Sequence, residues 1–246
     1  MSPRNWDART YDRVADPMTR WGESVLDRLP LRGDERVLDA GCGSGRVTEL
    51  LLRRLGSGSV VALDASPNMI EAARARLAPY GDRVSYLLAD LGQPIPLDGP
   101  VDAVLSTATF HWVPDHDALF GGLAAVLRPG GWLVAQCGGE GNLATVMRAL
   151  DEVGEPWRPW NFQSPEATRV RLGSAGFVDV ECWLHDEPTP IAPAELETYL
   201  ATIVLGANLE RLSPDRRADY VHAVAQRLPA PTLDYVRLNI VARRAV

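Results

Sequence analysis

The feature that most constrains the fold is a short stretch, Arg36-Val37-Leu38-Asp39-Ala40, that runs directly into Gly41-Cys42-Gly43-Ser44-Gly45 and then into a segment with Val47, Leu50, Leu51 and Leu55 on one face. An apolar run bounded by glycines reads as a buried strand, and recurrence at three and four residues reads as an amphipathic helix. The unit is therefore strand, tight glycine loop, helix. A second strand at 59–63 stops at Asp64, where Ser66 is a suitable N-cap and Pro67 a suitable first residue for a helix carrying Ile70, Ala73 and Leu77. Two strands joined through a helix within about forty residues form a parallel crossover.

The alternation continues with strands at 84–88, 101–105 and 132–136, and with a helix at 115–127 closed by Pro129-Gly130-Gly131. Strands interleaved with helices in this way predict an α/β fold, a Rossmann-like doubly wound and mostly parallel sheet. Before it, Trp21, Val25, Leu26 and Leu29 recur at helical spacing until Pro30 and Gly33. After Gly139 the spacing predicts a helix at 142–153, an irregular stretch at 154–164 holding Trp157, Trp160 and Phe162, and a short helix at 169–173. A strand at 177–184, helices at 194–205 and 214–228, and a strand at 233–242 complete the reading. A chain of 246 residues is long enough for one α/β domain with a real core.

Composition excludes several chemistries. All 25 basic side chains are arginine, so no lysine is available as a Schiff base, a phosphate-loop cation or a general base. The net charge is -7 and the arginines are scattered among carboxylates, which argues against nucleic acid and anionic membrane as partners. Residues 1–10 include Arg4, Asp7 and Arg9 and have no apolar signal region, and no apolar run reaches the roughly 18 residues of a membrane span. A cytoplasmic protein is expected. Cys42, Cys137 and Cys182 are odd in number and lack a CxxC, so reduced, buried thiols are expected in place of disulfides or zinc. The group His111, Asp115, His116 and Asp117 resembles a metal cluster, but Asp115 follows Pro114 at a helix start and is better read as a cap, so no metal is expected.

The loop has the pattern D-x-G-x-G-x-G over residues 39–45, unlike the dinucleotide fingerprint, which leaves two residues before its third glycine. Alone it reads equally well as a packing turn. Asp64 and Asp90, however, end the second and third strands, at the edge of the sheet where ligands of such folds bind. One acid suits the two hydroxyls of a ribose and the other suits an adenine amine. The set describes an adenosine with no obligatory pyrophosphate, and no hydride-transfer pair supports the rival reading of an NAD-dependent dehydrogenase.

Through VLDAGCGSG, VVALDASPNMIEAAR, residues 86–90 and LRPGGWLV, in that order, the chain resembles the class I S-adenosylmethionine-dependent methyltransferases. The resemblance implies seven strands with the last antiparallel, and S-adenosyl-L-methionine as cofactor. It places Gly41 and Gly43 at the methionine part, Asp39 near the amino group, Asp64 at the ribose, Met69 near the adenine, and Asp90 with Leu91 at the adenine edge. Ala65, Ser106 and Tyr11 join this cofactor set. On this reading one domain over 1–246 divides into an N-terminal cover (1–32), a cofactor-binding core (33–139) and a region of substrate lid and last strands (140–246).

The stretch after the fourth strand, with His111-Trp112-Val113, and the aromatic N-terminal segment resemble the trans-aconitate and juvenile-hormone-acid methyltransferases, which act on small molecules. An oxygen acceptor, carboxyl or hydroxyl, is expected. A carbon or nitrogen acceptor and a non-methylating cyclase on the same fold are the alternatives. His111 is read as base or orienter, and Tyr11, Trp112, Trp157 and Trp160 join it as substrate-binding candidates. Arg148, Arg158, Arg169 and Arg171 either hold an anionic substrate or lie on solvated helix faces, and His185 and His222 are read as surface or lid residues. The oligomeric state is not legible.

Overall fold

Seven strands form one sheet in the computed structural model, which describes residues 4–14 and 16–246. They are β1 (Arg36–Ala40), β2 (Ser59–Asp64), β3 (Val84–Leu88), β4 (Val101–Thr107), β5 (Leu127–Gly138), β6 (Phe177–Pro190) and β7 (Thr232–Arg244), in the spatial order β3-β2-β1-β4-β5-β7-β6. The pairs β1/β2, β2/β3, β1/β4 and β4/β5 are parallel, while β7 runs antiparallel to both of its neighbours. The chain winds outward from β1 to β3, then returns to the other side of β1 with β4. That reversal opens a crevice at the carboxyl ends of β1 and β4.

The helices are α1 (Ala8–Val14), α2 (Asp16–Leu26), α3 (Arg46–Arg54), α4 (Pro67–Leu77), α5 (His116–Val126), α6 (Ala144–Glu152), α7 (Pro165–Ser174), α8 (Leu196–Tyr199), α9 (Gly206–Glu210) and α10 (Pro214–Ala225). Alternation along each strand divides the core in two. Leu38, Val61 and Leu63 face α5 with Phe110 and Phe120, while Val37, Val60 and Ala62 face α2, α3 and α4 with Leu26, Leu51 and Ile70. A third cluster joins Trp21 to Leu143, Val146, Tyr199, Leu200 and Tyr235, and roofs the crevice.

The predicted β1 and β3 coincide with the observed strands, and Ser66 and Pro67 open α4 as expected, with the Ser66 hydroxyl accepting from Met69 N at 3.3 Å. Four readings are corrected. On α3, Leu52 is fully buried and Leu50 only partly, because α2 covers a second side of the helix. The short helix at 169–173 begins earlier, at Pro165, since Ser164 caps it by accepting from Ala167 N. β6 extends past 184 through Pro188 to Pro190; it is an edge strand, where a proline without an N–H is tolerated. The expected helix at 194–205 is broken into short pieces, with Leu200–Val204 wound as a π-helix. All three cysteines are free and buried. No helix among the described residues is long and apolar enough to cross a membrane.

Candidate functional site

A cavity of about 380 Å³ fills the crevice between the carboxyl ends of the strands and the roof. Its floor is the glycine loop. Gly41 has φ +90°, its N–H donates to Leu63 O at 2.8 Å, and a Cβ there would lie 2.1 Å from Thr109 Oγ1, so no side chain fits. Gly43 has φ +54°, and nothing lies within 4 Å of where its Cβ would be. The backbone is thus bare toward the cavity at Gly43.

Gly43 N donates to Asp64 Oδ2 at 2.9 Å and Ser66 N to Oδ1 at 2.8 Å, which fixes the carboxylate while leaving a lone pair on each oxygen. Burial raises the Asp64 pKa, and the backbone N–H groups oppose that rise. Asp90 Oδ1 accepts from Gly92 N at 2.8 Å. Asp64, Ala65, Met69, Asp90 and Leu91 all line the cavity, as do Gly41 and Gly43. An apolar slot between two strand-end acids, beside bare loop backbone, fits S-adenosyl-L-methionine: Asp64 can accept from ribose hydroxyls and Met69 and Leu91 can flank the base.

Two residues of the expected cofactor set do not line the cavity. Asp39 is 1% exposed beneath the loop; its Oδ2 accepts from Thr48 Oγ1 at 2.6 Å and its enclosed Oδ1 has no partner among the described residues. Burial drives its pKa up to about 7, with the Asp64 charge adding to the shift. Ser106 is also buried, and its hydroxyl donates to Ala40 O at 2.6 Å as a strut between β4 and β1.

The N-terminal segment closes one side. Asn5 Oδ1 accepts from Ser66 Oγ at 2.9 Å and Asn68 N at 3.1 Å, and Trp6 N donates to the Ser66 hydroxyl at 3.1 Å. Further along, Asp12 accepts from Ser44 Oγ and pairs with Arg76 at 2.7 Å. Between these two attachments Tyr11 faces the cavity, edge-on to Trp6 at 5.8 Å. Burial and the Asp64 charge push its phenol up to about 12, so it remains protonated at neutral pH.

The acceptor side is aromatic. Trp112 lies 5.3 Å from Trp6 and 6.2 Å from Trp160, and Trp160 stacks on Phe162 at 5.7 Å. Trp157 lines the mouth, with the Arg211 guanidinium 4.6 Å over its ring. His111 is tethered twice: Gly138 N donates to its Nδ1 at 3.2 Å, and Asn161 N donates to its carbonyl at 2.8 Å. Burial, then repulsion from Arg237, hold the imidazole pKa well below its usual value. Ala108 (φ +55°) and Leu143 (φ +57°) both line the cavity, a strained conformation costing about 1–3 kcal/mol each.

Asp115 accepts from Asp117 N and Ala118 N at the start of α5, and His116 Nε2 contacts Phe110 O at 2.9 Å. His185 and His222 pair with Glu187 and Glu197, away from the cavity. Of the four arginines read as anion holders none lines the cavity: Arg158 binds Asp151, Arg169 binds Cys182 O and Arg171 binds Gln163. The cation that faces the chamber from within is Arg237 of β7, which the sequence reading missed, together with Asn142 and Tyr235, whereas Trp6 lines the cavity from the segment expected as cover. The signal for Arg237 was available, since it and Asn239 interrupt the otherwise apolar run 235–242 on alternate positions.

Residues 37–131 match the family described as Methyltransferase domain. A trans-aconitate 2-methyltransferase of Rhizobium leguminosarum bv. trifolii is 34% identical, over 91% of this chain and 91% of that protein. Among solved structures, phosphoethanolamine N-methyltransferase 2 of Haemonchus contortus with S-adenosyl-L-methionine superposes with a TM-score of 0.66 at 21% identity, covering 97% of this chain and 56% of that one. The [4+2]-cyclase SpnF superposes with a TM-score of 0.62 at 19% identity, covering 93% of this chain and 81% of that one. At those identities the likeness is one of fold.

Proposed function

This chain belongs to the class I S-adenosylmethionine-dependent methyltransferases, and we propose that the atom it methylates is a carboxylate oxygen of a small-molecule acid. The observation that carries the reading is the Gly138 N–H bond to His111 Nδ1. A neutral imidazole has one acceptor nitrogen. With Nδ1 engaged and the ring held neutral, the proton resides on Nε2, so His111 offers a donor to the chamber and has no free lone pair to act as a base. Tyr11, held protonated, is no base either. A phenol, amine or carbon acid would need its proton removed, whereas a carboxylate arrives ionised and needs only to be held in line.

S-adenosyl-L-methionine, when bound, supplies a methyl group already activated on a sulfonium. The chain's part is then to orient and to exclude water: His111 through its Nε2–H, Trp112 and Trp160 as walls, and the segment holding Trp6 and Tyr11 as a cover. The name carried by the Rhizobium relative, a trans-aconitate 2-methyltransferase, supports an acid as acceptor. Three unpaired, buried cysteines support the cytoplasmic location included in this reading.

Incubation with methyl-labelled cofactor and a panel of carboxylic acids tests it. Label is expected in a product that alkali cleaves, as it cleaves a methyl ester. Label in an alkali-stable product would move the acceptor to carbon, nitrogen or hydroxyl, and a cofactor-dependent product without label would favour the cyclase. His111→Gln, which retains a donor, is expected to keep activity within about tenfold, where loss of a true base costs roughly 10² or more.

A further inference from the structure

Arg237 is 2% exposed, yet it lines the cavity. Its Nε reaches Gln136 Oε1 only at 3.4 Å, and its enclosed Nη2 has no partner among the described residues. Among the described residues no carboxylate pairs with it; its guanidinium lies instead over the Trp21 ring at 4.5 Å and the Tyr235 ring at 5.9 Å. The support behind it is fully bonded. Gln136 Nε2 donates to Asn239 Oδ1 at 2.9 Å, Arg28 Nη1 donates to the same oxygen at 2.7 Å, and Asn239 Nδ2 donates to Arg237 O at 3.2 Å. A buried, unpaired cation is costly unless an anion meets it, and here the open direction is the chamber that also receives His111.

We infer that Arg237 is the anchor for the substrate, its cavity-lining guanidinium donating to one carboxylate that enters the chamber, and that the substrate is an acid with a single carboxylate on an apolar, ring-sized body. The inference rests on the carboxyl-methylation reading and names the substrate class for it. The single carboxylate follows from the other cations. Arg4 is already paired with Glu210 at 3.0 Å and stacked 4.0 Å over Trp6, and Arg211 is exposed at the mouth, over Trp157. The walls also include Trp112, Leu143, Trp160, Phe162 and Ile203, none of which carries a positive charge for further carboxylates. Two extra negative charges, as on trans-aconitate, would meet those faces or the cavity-lining Glu210.

One carboxylate oxygen stays on Arg237 while the other forms the bond to the methyl group as the sulfonium S–C bond breaks and its electron pair returns to sulfur. No proton moves. The ester is uncharged, so the attraction to Arg237 ends with the reaction and the product is free to leave.

The test is calorimetric titration of the protein saturated with S-adenosylhomocysteine, which cannot react. Benzoate, phenylacetate, trans-cinnamate and octanoate form the probe set, with their carboxamides and trans-aconitate alongside. At least one monocarboxylate is expected to bind, and its carboxamide to bind about 30-fold more weakly, the worth of one charge-assisted bond. Arg237→Met is expected to lose acid binding by a similar factor, to leave S-adenosylhomocysteine affinity unchanged, and to melt no lower than the parent, because it removes an unpaired buried charge. Preference for trans-aconitate over all four acids, binding of none, an amide that binds as well as its acid, or a methionine variant that binds acids as before or melts lower each overturns the inference. If the variant fails to fold, the acid-against-amide comparison on the parent decides. Acid binding that depends on Arg237 without ester formation would retain the anchor and remove the carboxyl-methylation reading, so the two failures are distinct.

Discussion

Asp39 shows how one enclosed carboxylate links the cofactor half to pH. Its pKa rises from 3.8 to about 7 because burial penalises the charged form and the nearby Asp64 charge adds to that penalty. A raised acid pKa means that the folded state binds more protons than the unfolded state between the two values. Stability from this group is therefore fully present below the unfolded pKa and is lost as pH rises through about 7. Asp39→Asn is expected to flatten that fall and to be the more stable protein at pH 8, by on the order of 4 kcal/mol at most. Thermal melts of both proteins from pH 5 to 8 check this; parallel curves would show that Asp39 does not titrate there. Residues of this half were legible because strand, loop and acid are contiguous in sequence: Gly41, Gly43, Asp64 and Asp90 are each placed by the strand that precedes them. Arg237 was not, since its role depends on β7 inserting between β5 and β6, a long-range pairing, while Arg158, Arg169 and Arg171 looked better placed and turn out to bind their own neighbours.

At the level of elements, Ser66 does two tasks. It caps α4 and also joins the N-terminal segment through Asn5 and Trp6, whereas Ser164 caps α7 and joins nothing comparable. Ser164→Ala is expected to cost about 1 kcal/mol and to leave cofactor affinity untouched. Ser66→Ala is expected to cost about 1–2 kcal/mol and also to weaken S-adenosylhomocysteine binding several-fold, since the cover over Tyr11 loses an attachment. Denaturant unfolding with ligand titration separates the two effects; equal behaviour of the two variants would mean that the N-terminal attachment is idle. Short apolar runs bounded by loop residues were readable, as in β1 and β3. The tail of β6 was hidden by His185, Asp186 and Pro188, which are unsuited to an inner strand and acceptable on an edge. The broken helices around 200 were hidden because a run such as Leu200–Val204 is apolar on every side and carries no period to locate the breaks.

Across the whole molecule, the cavity is held between three parts: the loop and acids of β1 to β3, the N-terminal segment, and the roof of α6 to α10, into which Trp21 of the N-terminal segment packs. Arg4 reaches from the first of the described residues to Glu210 of α9, so the segment spans both sides. A ligand filling the cavity stabilises all three together. At a hundredfold excess over its Kd, S-adenosylhomocysteine is expected to contribute about 2.7 kcal/mol and raise the melting midpoint by roughly 5–10 °C for a protein of this size. A differential-scanning measurement with protease digestion should show the shift and protection around Trp6 and Tyr11 together; a shift without that protection would leave the N-terminal segment outside the ligand's reach.

The position of β7 has a consequence for how the protein matures. Of the seven strands it is the last in sequence, yet it occupies an interior place in the sheet and carries Tyr235 and Arg237 to the chamber. A nascent chain can thus assemble β1 to β4, with loop and acids in place, long before it can recognise an acceptor. Donor and acceptor recognition are separated in time during synthesis, and a chain cut short before β7 would retain the elements for one without the other.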